Sequence, residues 1–215
     1  MPALPAPERG MTYLRDVGAL ARKDLLLELR AKETLPAMLL FVVAMLTIFH
    51  FALPRGSTDA ATLGLLWSAL VLTSLLGLTR AFVAEREQGM FDALILAPCD
   101  RSAIWLAKSL SVLAFLVCAE VVALPAFAVF FSGLDARTVA AVALADLGIC
   151  AVGTLFGAMA VAGRARELLL PLLFLPAAIP IVVGGVGGYL WFLALYDALF
   201  AILAWATFEY VVAEV

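Results

Sequence analysis

Apolar residues in this chain come in long unbroken runs, without the regular polar interruptions of a helix half in water. A helix needs roughly 20 mostly apolar residues to cross about 30 Å of hydrocarbon. Six runs meet that length, at residues 35–53, 63–83, 104–131, 138–162, 168–186 and 189–213. Only Gly184-Gly185-Val186-Gly187-Gly188 separates the last two. A five-span alternative, with residues 168–188 only dipping into the bilayer, therefore stands beside the six-span reading. The pattern changes ahead of the first run. Leu14, Val17, Ala21, Leu25 and Leu29 recur at helical spacing, and Arg15, Arg22, Lys23 and Arg30 lie mostly off that stripe. This predicts a basic amphipathic helix on the membrane surface, with Pro36 marking the start of the span that follows. Residues 1–34 thus form an N-terminal segment with an interfacial helix, and residues 35–215 a transmembrane domain.

Composition sharpens that picture. Of 215 residues, 65% are hydrophobic and 14% charged, against about half and a quarter in soluble domains. A mean hydropathy of +1.09 leaves too much apolar side chain for any water-soluble globule of this size. The fold class expected is all-α integral membrane. The net charge of −3 says little about partners, and none of them is expected to be a nucleic acid. Charge placement is more informative. Arg9, Arg15, Arg22, Lys23, Arg30 and Lys32 precede the first span. Arg80, Arg86, Arg101 and Lys108 lie between spans two and three, and Arg164 and Arg166 between four and five. The opposite side carries only Arg55 and Arg137. Cytoplasmic loops are the Lys/Arg-rich ones, so both termini are expected in the cytoplasm, with short outer loops. Residues 1–34 hold no apolar core of signal-peptide length, and no cleavable leader is expected.

The longest polar interruption, residues 80–102, is the segment richest in candidate function. Glu85, Arg86 and Glu87 form a charged turn, and Gly89 can end the preceding helix. Met90, Phe91, Leu94, Ile95 and Leu96 then make a short apolar helix closed by Pro98. Bulky side chains on a short helix outside the membrane need cover. A groove on a second protein and a bed of lipid headgroups both supply it, and the residues alone leave the two open. The chain lacks a Gly-x-x-x-x-Gly-Lys-Ser/Thr phosphate loop. If ATP drives it, the motor is a separate chain.

The pattern Phe82, then Gly89-x-Phe91-x-x-Leu94-x-Leu96-x-Pro98, then Lys108, resembles the coupling region of ABC-2-type permeases. Together with Leu175-Pro176-Ala177-Ala178-Ile179-Pro180 and the basic helix before span one, it resembles the CcmB family of haem-exporter membrane subunits. The likeness covers nearly the whole chain. It departs at Phe91, where the family often has leucine, and in the acidic Glu209–Glu214 end. The resemblance implies a homodimer in the bacterial inner membrane, with two copies of a cytoplasmic CcmA-like ATPase. It further implies CcmC- and CcmD-like membrane partners and a CcmE-like haem chaperone on the outer face. Haem enters as substrate, not as a covalently held cofactor. ATP is used on the partner, docked through Glu85, Arg86, Gly89, Phe91, Leu94, Leu96 and Pro98. Export of haem and release of the haem-loaded chaperone fit the same parts.

Four carboxylates fall in apolar runs: Glu120, Asp146, Asp197 and Glu209. Each costs about 2.5–3.5 kcal/mol at mid-membrane on insertion scales, so each is expected to face protein or a wet cavity. Protonation, or hydroxyls such as Ser68, Thr73, Ser74 and Ser111, would satisfy them. Glu120, Asp146 and Asp197, with the sole histidine, His50, near the outer end of span one, are candidates for a substrate path or subunit interface. Glu209 lies close enough to the membrane edge to reach water. Gly153 and Gly157 have the small-x-x-x-small spacing of close helix contacts, within or between subunits. Pro176 and Pro180, with Pro171 before them, mark span five as a hinge.

Cys99, Cys118 and Cys150 fit no metal or haem-attachment spacing, and no metal site is expected. An intramembrane enzyme lacks its His–carboxylate pair or Gly-x-Ser-x-Gly. The alternatives are an ABC-2 permease for another lipophilic cargo, and a membrane assembly scaffold or such an intramembrane enzyme.

Overall fold

The computed structural model describes residues 6–54, 57–87, 100–131, 134–162 and 166–213, with residues 6–12, 28, 31, 83–87, 161–162, 166–167, 209 and 211–213 described in backbone only. Those residues form seven helices: α1 (Ala6–Ala31), α2 (Thr34–Ala52), α3 (Asp59–Glu87), α4 (Arg101–Phe131), α5 (Ala136–Ala162), α6 (Arg166–Val186) and α7 (Leu190–Ala213). The last six are long and apolar enough to cross a membrane. α6 is a 21-residue helix separate from α7 and long and apolar enough to cross, which fits the six-span reading.

α5 is the hub. It is the most buried of the spans, with 67% of its apolar window covered, against 17% for α2 and 22% for α7. α3, α4, α6 and α7 all pack against it. Glycines let two of them, α3 and α7, approach closely. A Cβ at Gly157 would overlap the Phe82 ring, one at Gly153 would overlap Leu78, and one at Gly148 would overlap the Asp197 carboxylate. The Gly153/Gly157 pair therefore works within the subunit, as a seat for α3.

The glycine run of residues 184–188 divides differently from the sequence expectation. Gly184 and Gly185 are the last turn of α6, where Gly184 meets Leu193 and Gly185 lies under the Trp67 indole. Only Gly187 and Gly188 make the turn. Gly188 adopts φ 63°, a left-handed conformation that favours glycine. Arg137 Nε donates to its carbonyl at 3.0 Å. Asp135, just outside the membrane segment, caps α5 by accepting the Thr138 N–H at 2.8 Å. Hydrogen bonds from the Thr138 side chain, then from its main chain, hold the Asp135 carboxyl below the usual carboxylate range.

α1 is not merely laid on a surface. Tyr13 Oη meets Ser102 Oγ at 3.3 Å, and Ser111 Oγ donates to Ala21 O at 3.3 Å. Val17 and Ala21 pack on Ala103 and Ala107. Contacts ascend together along both helices, so α1 runs beside the first three turns of α4 in the same direction. Small residues on both helices allow this approach. Leu14, Leu26, Leu27 and Leu29 remain exposed. The chain then turns at Lys32, φ 54°, into α2.

Candidate functional site

Two helices are much longer than the membrane requires. At 1.5 Å per residue, the 29 residues of α3 and 31 of α4 reach roughly 44 and 46 Å. The apolar run of α3 gives way to Glu85-Arg86-Glu87 in the helix's last turn, at its Lys/Arg-rich end. α3 and α4 thus frame residues 88–99 as two stalks. Gly89, Phe91, Leu94, Leu96 and Pro98 lie outside the described residues. Glu85 and Arg86 fall in the last turn of α3.

The stalks are clamped by Lys108, on the third turn of α4 and only 7% exposed. Its Nζ donates to Ala81 O at 3.1 Å, lies 5.2 Å from the centre of the Phe82 ring, and is 3.8 Å from Asp24 Oδ2. Asp24 Oδ1 also pairs with Lys23 at 3.0 Å. One ammonium therefore joins α1, α3 and α4 where the stalks leave the lipid. Lys108 was legible as part of the family pattern, but Asp24 was not. Its signal is its place on the same helical face as Val17 and Ala21, an acid on the packing side of α1. An exposed pair, Arg80 with Glu33 at 3.4 Å, adds little nearby.

Of the four candidates for a substrate path or interface, the fold brings two together. Glu120 on α4 and Asp146 on α5 lie close enough to interact, carboxyl to carboxyl. Cys150, a turn beyond Asp146, is buried beside them. The hydroxyls considered as partners are otherwise engaged, each with a main-chain carbonyl of its own helix. Ser68 bonds Gly64 O at 2.8 Å, Thr73 Ala69 O at 2.7 Å, Ser74 Val71 O at 2.8 Å and Ser111 Ala107 O at 3.0 Å. Ser109 and Thr154, 3.1 Å apart, are the hydroxyl pair that does cross between α4 and α5.

Asp197 stands apart. It is 8% exposed, rests on the bare Cα of Gly148, and has no hydrogen-bond partner among the described residues. His50 is also separate. Its exposed ring contacts Phe51, Phe130 and Phe131, with centroids 5.3, 5.2 and 5.7 Å away, and so joins the far ends of α2 and α4. No group of three or more His, Cys, Asp or Glu able to hold a metal occurs among the described residues.

α6 stays helical through Pro171, Pro176 and Pro180. A proline ring distorts the preceding turn and frees carbonyls there. Tyr196 of α7 answers this, donating its hydroxyl to Ala177 O at 2.7 Å. Neighbouring helices commonly re-satisfy such groups in membranes. At the end opposite the stalks, Arg137, Tyr189, Trp191 and Phe192 line an open groove of about 890 Å³.

Comparison with known proteins agrees with this architecture. The chain is 36% identical to heme exporter protein B of Pseudomonas aeruginosa over 174 residues, 78% of this chain and 77% of the relative. It is 30% identical to heme exporter protein B of Bradyrhizobium diazoefficiens over 184 residues, 79% of each. The match to the family described as CcmB protein runs over residues 15–208, from the first turns of α1 to the end of α7. With six spans, a packed N-terminal helix and two stalks in the expected order, the chain belongs to the CcmB family.

Proposed function

We propose that this chain is the membrane subunit of an ATP-driven haem exporter of cytochrome c maturation, working as a dimer with a separate ATPase. The observation that supports the reading is the pair of long helices on either side of residues 88–99, α3 and α4, joined by Lys108. Stiff rods joined at their base transmit a push. Residues 88–99 between them are the ATPase contact, with Glu85 and Arg86 at its edge. The stalk end faces the cytoplasm, as the Lys and Arg placement requires, and both termini lie there. The hydrolytic step belongs to the partner. CcmC- and CcmD-like membrane proteins and a CcmE-like chaperone complete the assembly on the other side. Haem, or the chaperone loaded with it, is the substrate.

The test is isolation of the complex from cells co-expressing the ATPase. Wild-type chain retains the ATPase at one-to-one stoichiometry. F91E and L94E lose it while keeping the monomer's melting behaviour. Retention of the ATPase by both variants refutes the docking assignment. Normal haem loading and release in cells lacking the chain refutes the substrate.

A further inference from the structure

The side of α1 turned away from α4 carries a groove of about 380 Å³ lined by Ala19, Arg22, Lys23, Leu26, Leu27 and Arg30. Arg15 continues the same face one turn earlier. We infer that this face binds the anionic headgroups of phospholipids in the adjoining leaflet.

Three observations converge. The first is rotation. Packing of Val17, Ala21 and Asp24 against α4 fixes the helix about its axis, so the groove faces outward and cannot turn inward to hide its leucines. The second is depth. Asp24 meets Lys108, which reaches Ala81, one turn before the charged Glu85-Arg86-Glu87 of α3. Arg30 is four residues before Thr34, where the α2 span begins. Residues 22–30 therefore lie at the membrane boundary. The third is chemistry. Leu26 and Leu27 are 45% and 36% exposed between exposed Arg22 and Arg30. Arginine forks match a phosphate bidentately, and the leucines between them suit the glycerol and first acyl carbons. Asp16 borders the face, and Asp24 is turned toward Lys108. An acidic groove on a protein would satisfy the arginines, but exposed leucines at boundary depth favour lipid.

Full-length chain in detergent is titrated with phosphatidylglycerol or phosphatidylcholine, and lipid-dependent stabilisation is read as apparent melting temperature. Wild type prefers phosphatidylglycerol. A cationic side chain at an anionic surface is worth about 1 kcal/mol, so R22Q/R30Q weakens that preference about 30-fold. R22K/R30K keeps most of it, and high salt erodes it. Equal stabilisation of wild type by both lipids overturns the inference. So does a preference that survives in R22Q/R30Q. Loss of the ATPase from the isolated complex of R22Q/R30Q, with lipid preference intact, assigns the face to a protein instead.

Discussion

Replacing Lys108 with methionine tests whether the stalks and α1 are held as one unit. Methionine has nearly the same length and keeps the apolar stem in place, so the change removes an ammonium and little volume. The side chains of Lys108 and Asp24 are 9% and 12% exposed and their charged atoms 3.8 Å apart. Removing one partner of a fully buried pair costs about 3–5 kcal/mol. Here the figure is smaller, because water reaches both groups and Asp24 keeps Lys23 at 3.0 Å. The ammonium's position over Phe82 contributes about 0.5–1 kcal/mol, and the charged hydrogen bond to Ala81 O a similar amount or more. The sum expected for K108M is about 2–3 kcal/mol. For a chain of this size, 1 kcal/mol moves the melting point by about 2–4 °C, giving a fall of about 4–12 °C. D24N removes only the α1 arm of the clamp and costs about 1 kcal/mol. The double variant K108M/D24N melts close to K108M, since Asp24 has little left to lose. The assay is apparent melting in detergent, paired with limited tryptic digestion. α1 of K108M is cut faster at Arg15 and Arg22, because one of its tethers to α4 is gone. Melting within about 1 °C of wild type, with unchanged digestion, refutes the clamp.

Other expectations follow from the same contacts. G157L forces the Phe82 ring out of its seat and costs about 1–3 kcal/mol by overpacking, read as lower melting temperature and lower yield of the folded monomer. E120Q can donate a hydrogen bond to the neighbouring Asp146 and melts near wild type. E120A strands a buried acid and costs about 1–3 kcal/mol; equal melting of the two variants defeats the pairing. Y196F leaves the Ala177 carbonyl without its donor and costs about 1 kcal/mol, with faster amide exchange in residues 172–181 as the specific readout. Asp135 has a folded pKa below its unfolded value, so its stabilisation is present above the ordinary carboxylate value of about 3.9 and fades as pH falls below it. D135N removes that acid-side dependence, as melting at pH 3 and pH 5 shows.

The spans were legible because bilayer thickness dictates run length. The expected 35–53 and 168–186 meet the observed Thr34–Ala52 and Arg166–Val186 within two residues. α3 and α4 extend past their apolar runs because helix continues into polar sequence once neighbours pack against it, and hydropathy does not register that. Pairing of Glu120 with Asp146 had a readable signal. Glu120 lies eleven residues before the end of α4 and Asp146 ten after the start of α5, equal depths on consecutive antiparallel helices. Which faces meet is a matter of rotation, and hydropathy without strong amphipathic bias does not encode it. The roles of Gly184 and Gly185 were hidden for a related reason. A glycine in a turn and a glycine beneath Trp67 look alike until the neighbour is known. Tyr196, like Asp24, acts on a carbonyl or cation far away in sequence.

The seat of Asp197 on Gly148 bears on the order in which the protein is made. Synthesis runs from α1 to α7, so the notch on α5 is already in the bilayer when the last helix delivers its acid. Leu78 and Phe82 arrive before their notches, but they are greasy and wait in lipid without penalty. Glu120 waits only for the very next hairpin partner. Of the candidate acids Glu120, Asp146 and Asp197, the one whose seat lies furthest back in the sequence is thus the last to enter. A circular permutant placing α7 ahead of α5 would ask the ribosome to leave a homeless carboxyl among acyl chains, and its insertion would stall.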